Sequence, residues 1–300
     1  MLKFIFHALI VFIILSCASK DKAIRVGIPI AVVNLKISGA ATIDSLTKRM
    51  GKFASKAHKK GAKVVLFPEL PTLDLLPVNP ADEEVKNELM SMARTQKDYE
   101  SALIEIAKKY QIMIIGANHY ILSGKSKFKN RAYIVKANGE IAFQDKIYPT
   151  PWEVRQGVKG NKKIEIFKTE ELSFVVLTCH DAEFPDISVR LSKMKPEVIF
   201  VPSMTDDLNG LSRVKRTSQA RAIEHMSYVL MTGASSEVGA KWHTYQGKSF
   251  LFTPHNKYFE EPQEGDLDEQ LKIFYLDLPS LRKARGDRKQ VYPARDYLNQ

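Results

Sequence analysis

Short apolar runs alternate along this chain with amphipathic helical stretches, and this alternation constrains the fold more than any other feature of the sequence. Helices are predicted at 43–60, 99–110, 186–193 and 211–226, and buried strands at 24–33, 63–67, 112–117, 174–178, 197–201, 228–233, 248–252 and 271–276. Two more alternating runs, 131–136 and 140–145, flank Asn138-Gly139, a strong hairpin signal. This order predicts one compact α/β domain with sheets of mixed strand direction.

Three of the predicted strands end in groups that carry chemistry. They deliver the Glu69 carboxylate, the Lys146 amine and the Cys179 thiol. Cys179 is one of two cysteines, and it lies where a strand would end and a helix begin, so that its sulfur can face a cleft. A base, a cation and a nucleophile are what hydrolysis of an unactivated amide requires. Taken singly, the three would as readily be a solvated loop carboxylate, a surface lysine and an inert buried thiol.

The chain resembles the nitrilase superfamily, the carbon-nitrogen hydrolases, in four segments that occur in the family's order. These are FPELP around Glu69, DKIYPTPWE around Lys146, TCHDAEFPD around Cys179 and QARAIEHMSYV at 219–229. The similarity runs over about 24–278, nearly the whole mature chain. The resemblance implies a four-layer α-β-β-α sandwich with two mixed β-sheets, commonly assembled as a homodimer across a helical face.

The same resemblance implies a role for each residue of the motifs. Glu69 would take the thiol proton, return it to the departing amine and then activate water against a thioester on Cys179. Lys146 would hold the oxyanion together with the backbone N–H of His180, at the start of the following helix. Glu153 matches a second family carboxylate that positions the lysine and the substrate.

Two positions after Cys179 depart from the family's pattern. His180 stands where many members have an aromatic residue, and Glu183 stands where many have an arginine. An acidic group at Glu183 would favour a cationic substrate, or it would pair with a nearby arginine, and we favour the pairing. The possible partners are Arg190, Arg213 and Arg221.

Two polar residues follow the predicted strand 197–201. By analogy with the family, Ser203 and Thr205 would line the pocket as polar contacts to the substrate. Solvation of a loop is an equally good account of both.

The amino terminus is typical of an export signal. Lys3 supplies positive charge, residues 4–15 are apolar but short for a membrane span, and the order Ile-Leu-Ser before Cys17 resembles a bacterial lipobox. This predicts a signal peptide at 1–17, lipidation of Cys17, a tether at 18–23 and a hydrolase domain at 24–300. The protein would then be a membrane-anchored lipoprotein of the bacterial cell envelope. A cleaved secretory peptide and an uncleaved anchor are the alternatives.

The composition argues against several other classes of protein. The net charge is +11, yet the basic residues are scattered and lack the aromatic interleaving of a nucleic-acid platform. A solvated basic surface, or attraction to anionic lipid beside the tether, accounts better for the charge. The seven histidines show no HxH or HExxH spacing, and no CxxC pair occurs, so no metal site is predicted. No cofactor is expected.

These observations predict a cysteine-dependent hydrolase of small linear amides or N-carbamoyl compounds. Nitrile hydrolysis and amide-forming acyl transfer are alternatives on the same three residues. Membrane acyltransferases of the family carry several transmembrane helices that this chain lacks. A non-catalytic lipoprotein that binds small molecules is the third class, and the intact set of Glu69, Lys146 and Cys179 argues against it.

Overall fold

The computed structural model describes residues 27–37, 42–76, 82–125, 127–236, 247–254, 257–265 and 270–287. The predicted signal peptide, the tether and Cys17 lie outside the described residues, so the export predictions stay predictions. None of the helices in the described ranges combines the length and the apolarity that crossing a bilayer requires.

Strands and helices alternate as the sequence predicts. The strands are β1 (Ile28–Val33), β2 (Leu35–Ile37), β3 (Val64–Leu66), β4 (Met113–Leu122), β5 (Phe128–Val135), β6 (Ile141–Asp145), β7 (Phe167–Lys168), β8 (Ser173–Val176), β9 (Val198–Val201), β10 (Tyr228–Met231), β11 (Ala234–Ser236), β12 (Phe250–Phe252), β13 (Gln263–Glu264) and β14 (Leu271–Leu276). The helices are α1 (Ile43–Lys59), α2 (Asp82–Arg94), α3 (Gln96–Tyr110), α4 (Pro151–Arg155), α5 (Pro185–Met194), α6 (Leu208–His225) and α7 (Leu278–Gly286), with 3₁₀ turns at Pro71–Leu75 and Cys179–Glu183.

Two six-stranded sheets of mixed direction form the centre of the molecule. The first has the strand order β14-β1-β3-β4-β5-β6, and the second has the order β13-β12-β10-β9-β8-β7. Strands β1, β3 and β4 run parallel in the first sheet, as do β8, β9 and β10 in the second, while the outer strands pair antiparallel. A short parallel pair, β2 with β11, joins the two halves of the chain.

Alternate residues of the central strands face two different cores. Ile30 and Val32 of β1 pack in a core shared by the two sheets, which also contains Phe174 and Phe200 of the second sheet. Their neighbours on β1 face outward, into a core formed with α1 and α3. The second sheet packs its other face against α5 and α6. Because both faces of each sheet are covered, the strands read as continuous apolar runs, and the predicted α-β-β-α sandwich is confirmed.

Two differences from the predicted elements concern polar segments. Helix α2 was not predicted, and its apolar side, with Leu89 and Met92, packs beside the end of β4. Strand β4 runs beyond residue 117 to Leu122, through the buried polar pair Asn118 and His119. Asparagine is depleted in strands, so the polar pair concealed the continuation.

Candidate active site

The residues predicted to be catalytic follow three strands whose ends meet at one cavity. Glu69 lies three residues after β3, Lys146 directly after β6 and Cys179 three residues after β8. Strands β3 and β6 run in the same direction, because β4 is parallel to β3 while β5 is antiparallel to both β4 and β6. All three residues, together with Glu153 of α4, line a cavity of about 420 Å³.

Lys146 lies between two carboxylates in the floor of this cavity. Its side chain is 1% exposed, and its Nζ donates to Oε1 of Glu69 at 2.8 Å and to Oε2 of Glu153 at 2.7 Å. A buried ammonium is tolerated only when it is paired in this way. An ammonium has three N–H donors, and within the described part of the chain these two carboxylates are its acceptors. One N–H therefore remains for a ligand in the cavity.

A buried asparagine, which the sequence analysis did not single out, holds the two carboxylates together. Nδ2 of Asn130 donates to Oε1 of Glu69 and to Oε1 of Glu153, both at 2.8 Å. Its Oδ1 accepts from Nδ2 of Asn118 at 2.8 Å, and that same amide donates to Oγ1 of Thr178 at 3.1 Å, one residue before the thiol. This amide chain connects the carboxylates of the first sheet to the turn of the second. Asn118 and Asn130 each lie one residue outside the predicted strands, 112–117 and 131–136, so the sequence pattern did not point to them.

The environments of the two glutamates push their pKa values apart. Burial raises the pKa of Glu69, and the charge of Glu153 adds to this, so that the opposing effect of Lys146 is outweighed. Burial acts upward on Glu153 too, but the charge and hydrogen bond of Lys146 prevail and lower its pKa. Burial would lower the pKa of Lys146, whereas the two carboxylates hold it well above the ordinary value. Lys146 is therefore cationic, Glu153 is ionised, and Glu69 is the more basic of the two carboxylates. This difference between the two pKa values suits Glu69 to carry a proton and Glu153 to act as a fixed charge.

Cys179 carries its thiol on a strained turn. Its φ is +47°, in the left-handed region that residues other than glycine rarely adopt, and its N–H donates to the carbonyl of Pro202 at 3.0 Å. Burial and the charge of Glu69 raise the pKa of this thiol to about 12, although Lys146 acts in the opposite direction. The sulfur is therefore a neutral thiol at pH 7, and a base must remove its proton before it can act as a nucleophile.

Asp181 fixes the lysine segment against the cysteine turn, a role that the sequence analysis missed. Its Oδ1 accepts from the N–H groups of Ile147, at 3.0 Å, and Tyr148, at 2.7 Å. Its Oδ2 accepts from the N–H of Thr178 at 3.0 Å. The segment that follows Lys146 and the residue that precedes Cys179 thus share one buried carboxylate. Its place two residues after the cysteine was the only sequence signal.

Of the remaining predicted site residues, His180 and Thr205 line the cavity and Ser203 does not. His180 lines the cavity, but it lies in the 3₁₀ turn Cys179–Glu183 and not at the start of α5. Thr205 lines the cavity as predicted. Ser203 is 1% exposed and lies behind the cysteine, outside the cavity wall, so it does not hold the position predicted for a substrate contact. Its Oγ donates instead to Sγ of Cys179 at 3.2 Å.

Glu183 forms the predicted structural ion pair. Its Oε2 accepts from Nε of Arg213 at 3.1 Å, and both side chains line the mouth of the cavity. The other two arginines are engaged elsewhere, Arg190 with the carbonyl of Lys162 and Arg221 with Glu224. The Glu183 charge is therefore neutralised locally and does not by itself favour a cationic substrate.

Comparisons with known proteins show which family this chain is similar to. The family model for carbon-nitrogen hydrolases matches residues 29–285. The "Probable hydrolase YhcX" of Bacillus subtilis is 26% identical over 267 residues, covering 85% of this chain, and the chain spans only 51% of the length of that relative. A citrullinase of Francisella tularensis is 25% identical over 272 residues, covering 80% of this chain and 86% of the relative.

A solved structure shares the fold. The crystal structure of an amidase from Nesterenkonia sp. superposes with a TM-score of 0.71 at 18% sequence identity, covering 87% of this chain and 94% of the other. At this identity the likeness shows the fold alone. The match to the family model covers more than four fifths of the chain, and every residue that lines the cavity lies within the matched range. The chain belongs to the carbon-nitrogen hydrolase family, within the nitrilase superfamily.

Proposed function

We propose that this protein hydrolyses a non-peptide C–N bond in small linear amides or N-carbamoyl compounds, through a thioester on Cys179. One observation carries the proposal: a buried lysine bridges two carboxylates in the wall of the cavity that also holds the thiol. Ion pairs that only stabilise a fold do not require a thiol in the same cavity, so the presence of Cys179 favours a catalytic role for Lys146 and its two carboxylates. The relative named as a citrullinase supports the choice of bond.

Acylation begins with a neutral thiol. The Glu69 carboxylate, whose raised pKa makes it a better base, takes the Sγ proton as the sulfur attacks the carbonyl carbon. The developing oxyanion accepts a hydrogen bond from the third N–H of Lys146, which neither carboxylate occupies. In the proposal, the backbone N–H of His180 donates a second hydrogen bond to it. As the tetrahedral intermediate collapses, the C–N bond breaks and Glu69 returns the proton to the leaving nitrogen.

Hydrolysis of the thioester repeats these steps with water. Glu69 takes a proton from the water that attacks the acyl carbon, and Lys146 again faces the oxyanion. Glu153 accepts from the N–H of Thr150 at 2.8 Å and from the hydroxyl of Tyr120 at 3.0 Å, so it is fixed on several sides. In this proposal Glu153 keeps Lys146 charged and in place, and it exchanges no proton.

The cavity sets the size of the substrate. A volume of about 420 Å³ lies near the lower end of the range usual for ligand sites, about 300–1,000 Å³, and suits a small molecule. Its walls combine apolar side chains with charges at the mouth. Those charges are Arg155, Glu183, Asp206, Asp207 and Arg213.

Ammonia release from primary amides, ω-amides, carbamoyl amines and nitriles tests the proposal. We expect turnover of at least one amide or carbamoyl compound, a thioester adduct on Cys179 by mass spectrometry, and no turnover by folded Cys179→Ala. Turnover of nitriles alone, or capture of the acyl group by an added amine in preference to water, would favour one of the alternative chemistries. A folded protein that processes none of these compounds would favour the binding lipoprotein.

We propose that Cys17 is lipidated and anchors the protein to a membrane of the cell envelope, and that the protein is a homodimer. Cys17→Ala should abolish lipid labelling and membrane association without changing the rate of the purified protein, and continued labelling would contradict the anchor. Sedimentation of the domain 24–300 at several concentrations tests the dimer.

A further inference from the structure

Ser203 lies beside Cys179, just beyond the ends of the neighbouring strands β9 and β8. Strands β8 and β9 are parallel, and Val176 pairs with Phe200. Three residues beyond that pair, the same register places Cys179 next to Ser203. The serine is therefore brought to the sulfur by the sheet itself, since both strands are buried and their register is fixed by the apolar cores on the two faces.

The segment after β9 surrounds the cysteine from behind. The carbonyl of Pro202 accepts from the backbone N–H of Cys179 at 3.0 Å, the hydroxyl of Ser203 donates to Sγ at 3.2 Å, and the thiol is 3.6 Å from the carbonyl of Met204. Three successive residues thus fix the left-handed turn and the direction of the sulfur. The cavity side of the sulfur stays open to a substrate.

The hydroxyl of Ser203 has an unusual acceptor. Among the described residues, Sγ of Cys179 is the only acceptor found for this buried hydroxyl. A thiol or thioester sulfur is a weak acceptor, whereas hydrogen bonds to ionised groups are roughly twice as strong as neutral ones. The contact therefore becomes stronger whenever negative charge develops on the sulfur, and interactions of this kind accelerate a reaction step.

We propose that Ser203 is a positioning residue whose hydroxyl holds the Cys179 sulfur and stabilises it as the leaving thiolate when the thioester is hydrolysed. The inference rests on the proposed function. In that step water adds to the acyl carbon and gives one proton to Glu69. The C–S bond then breaks, its electron pair stays on the sulfur, and Glu69 returns the proton to the thiolate, which leaves a carboxylic acid and the free thiol.

This role differs from the substrate contact predicted from the sequence. A substrate contact would change the Michaelis constant and the choice of substrate. A residue behind the sulfur would change the rate of thioester hydrolysis and the ionisation of the thiol for every substrate. A purely structural serine would change only the stability of the fold.

The experiment compares Ser203→Ala, which removes the hydroxyl, with Ser203→Thr, which keeps it. Ser192→Ala is the matched control, because Ser192 is also buried, at 2% exposure, and donates to the carbonyl of Val189 in α5, outside the cavity wall. Iodoacetamide alkylation of Cys179 is followed against pH. Steady-state thioester is measured by mass spectrometry, with the primary amide that the wild type turns over fastest.

We expect Ser203→Ala to move the pH dependence of alkylation upward and to slow thioester hydrolysis about tenfold or more, as the loss of a hydrogen bond to a charged group predicts. Thioester should then accumulate. Ser203→Thr should stay close to wild type, and Ser192→Ala should lower only the melting temperature. If Ser203→Ala does not fold, Ser203→Gly removes the same hydroxyl.

An alkylation profile and a thioester fraction equal to those of wild type, in a folded variant without the hydroxyl, would overturn the proposal. Failure of the proposed function has a different result: the wild type itself would show no thioester and no C–N hydrolysis. The alkylation profile needs no substrate. It therefore reports on the contact between Ser203 and Cys179 in either case.

Discussion

Cys179 and Glu69 reach the cavity from turns with unfavourable backbone conformations. Cys179 has a φ of +47°, and Leu70, the residue after the glutamate, has a φ of +48°. Each such conformation costs a residue other than glycine about 1–2 kcal/mol. Strain of this kind persists where the surrounding structure enforces it, often at active sites. Here the buried hydrogen bonds of Asn130 and Asp181 enforce it.

The pH dependence of activity should follow the carboxylate pair. Glu69 acts as a base only when ionised, and its pKa is raised, so activity should fall as the pH falls through a value above the ordinary 4.5. Glu69 and Glu153 lie close enough to influence each other's ionisation. The fall in activity at acidic pH therefore reports on the two carboxylates together and not on one residue. A profile of kcat/KM against pH measures it. An acidic limb at or below pH 4.5, or a thiol that titrates near pH 8.5 in alkylation, would contradict the assignment.

Replacing the base should remove turnover while leaving the cavity intact. Glu69→Gln keeps an oxygen that accepts from Lys146 and Asn130, but it cannot take a proton. We expect kcat to fall by about 10²–10⁴, the usual effect of losing a general base. Glu140→Gln, at an exposed pair with Lys136, is the matched control and should leave the rate unchanged. The test measures initial rates of amide hydrolysis and thermal melts of both variants. A folded Glu69→Gln variant with the wild-type rate would contradict the role of Glu69 as the general base.

At the scale of elements, the end of β3 is positioned by a glycine in its neighbour. Gly116 of β4 has a φ of +82° and lies at the irregularity where the register with β5 shifts. A Cβ at this position would come within 2.2 Å of the carbonyl oxygen of Phe67, two residues before Glu69. Only glycine lets the two backbones approach this closely.

Gly116→Ala should therefore displace the glutamate segment as well as destabilise the fold. Gly61 after α1 is the matched control, because its φ of +84° is almost the same and a Cβ added there would meet no atom of the described residues within 4 Å. Gly61→Ala should cost only the backbone term, about 1–2 kcal/mol. Gly116→Ala should cost more and should lower kcat in the folded protein. Denaturant unfolding and amide kinetics measure both effects, and equal losses in the two variants would refute the steric argument.

The sequence predicted the elements whose pattern is local. The apolar runs predicted the strands that lead to Glu69, Lys146 and Cys179, and each of these residues lies within three residues of the end of its strand. The contacts that join these strands are not local. Asn130 lies 61 residues from Glu69, and Asp181 lies 34 residues from Ile147, so sheet order had to be known before either could be recognised. The four-layer arrangement came from the resemblance to a family and not from periodicity.

At the scale of the whole molecule, the active site spans the two sheets. Glu69 and Lys146 follow strands of the first sheet, and Cys179 follows a strand of the second. The core between the sheets therefore sets the distance between the base and the nucleophile. That distance matters, because a displacement of about 1 Å can cost about 10²-fold in rate. The outer core between the second sheet and α5 and α6 contains Cys179. The outer core between the first sheet and helices α1 and α3 contains none of the three reacting residues.

Two adjacent isoleucines of β4 test this difference. Ile114 faces the outer core with α1 and α3, and Ile115 faces the core between the sheets, and both are fully buried. Truncation of either to alanine should cost about 2–5 kcal/mol of unfolding free energy, since each removes the same groups from a packed core. Ile115→Ala should in addition lower kcat of the folded protein, because the sheets can then shift relative to each other, whereas Ile114→Ala should keep it. Chemical denaturation and kcat, both measured below the melting temperature of the weaker variant, separate the two effects. Equal kcat values for the two variants would show that the geometry between Glu69 and Cys179 does not depend on the packing between the sheets.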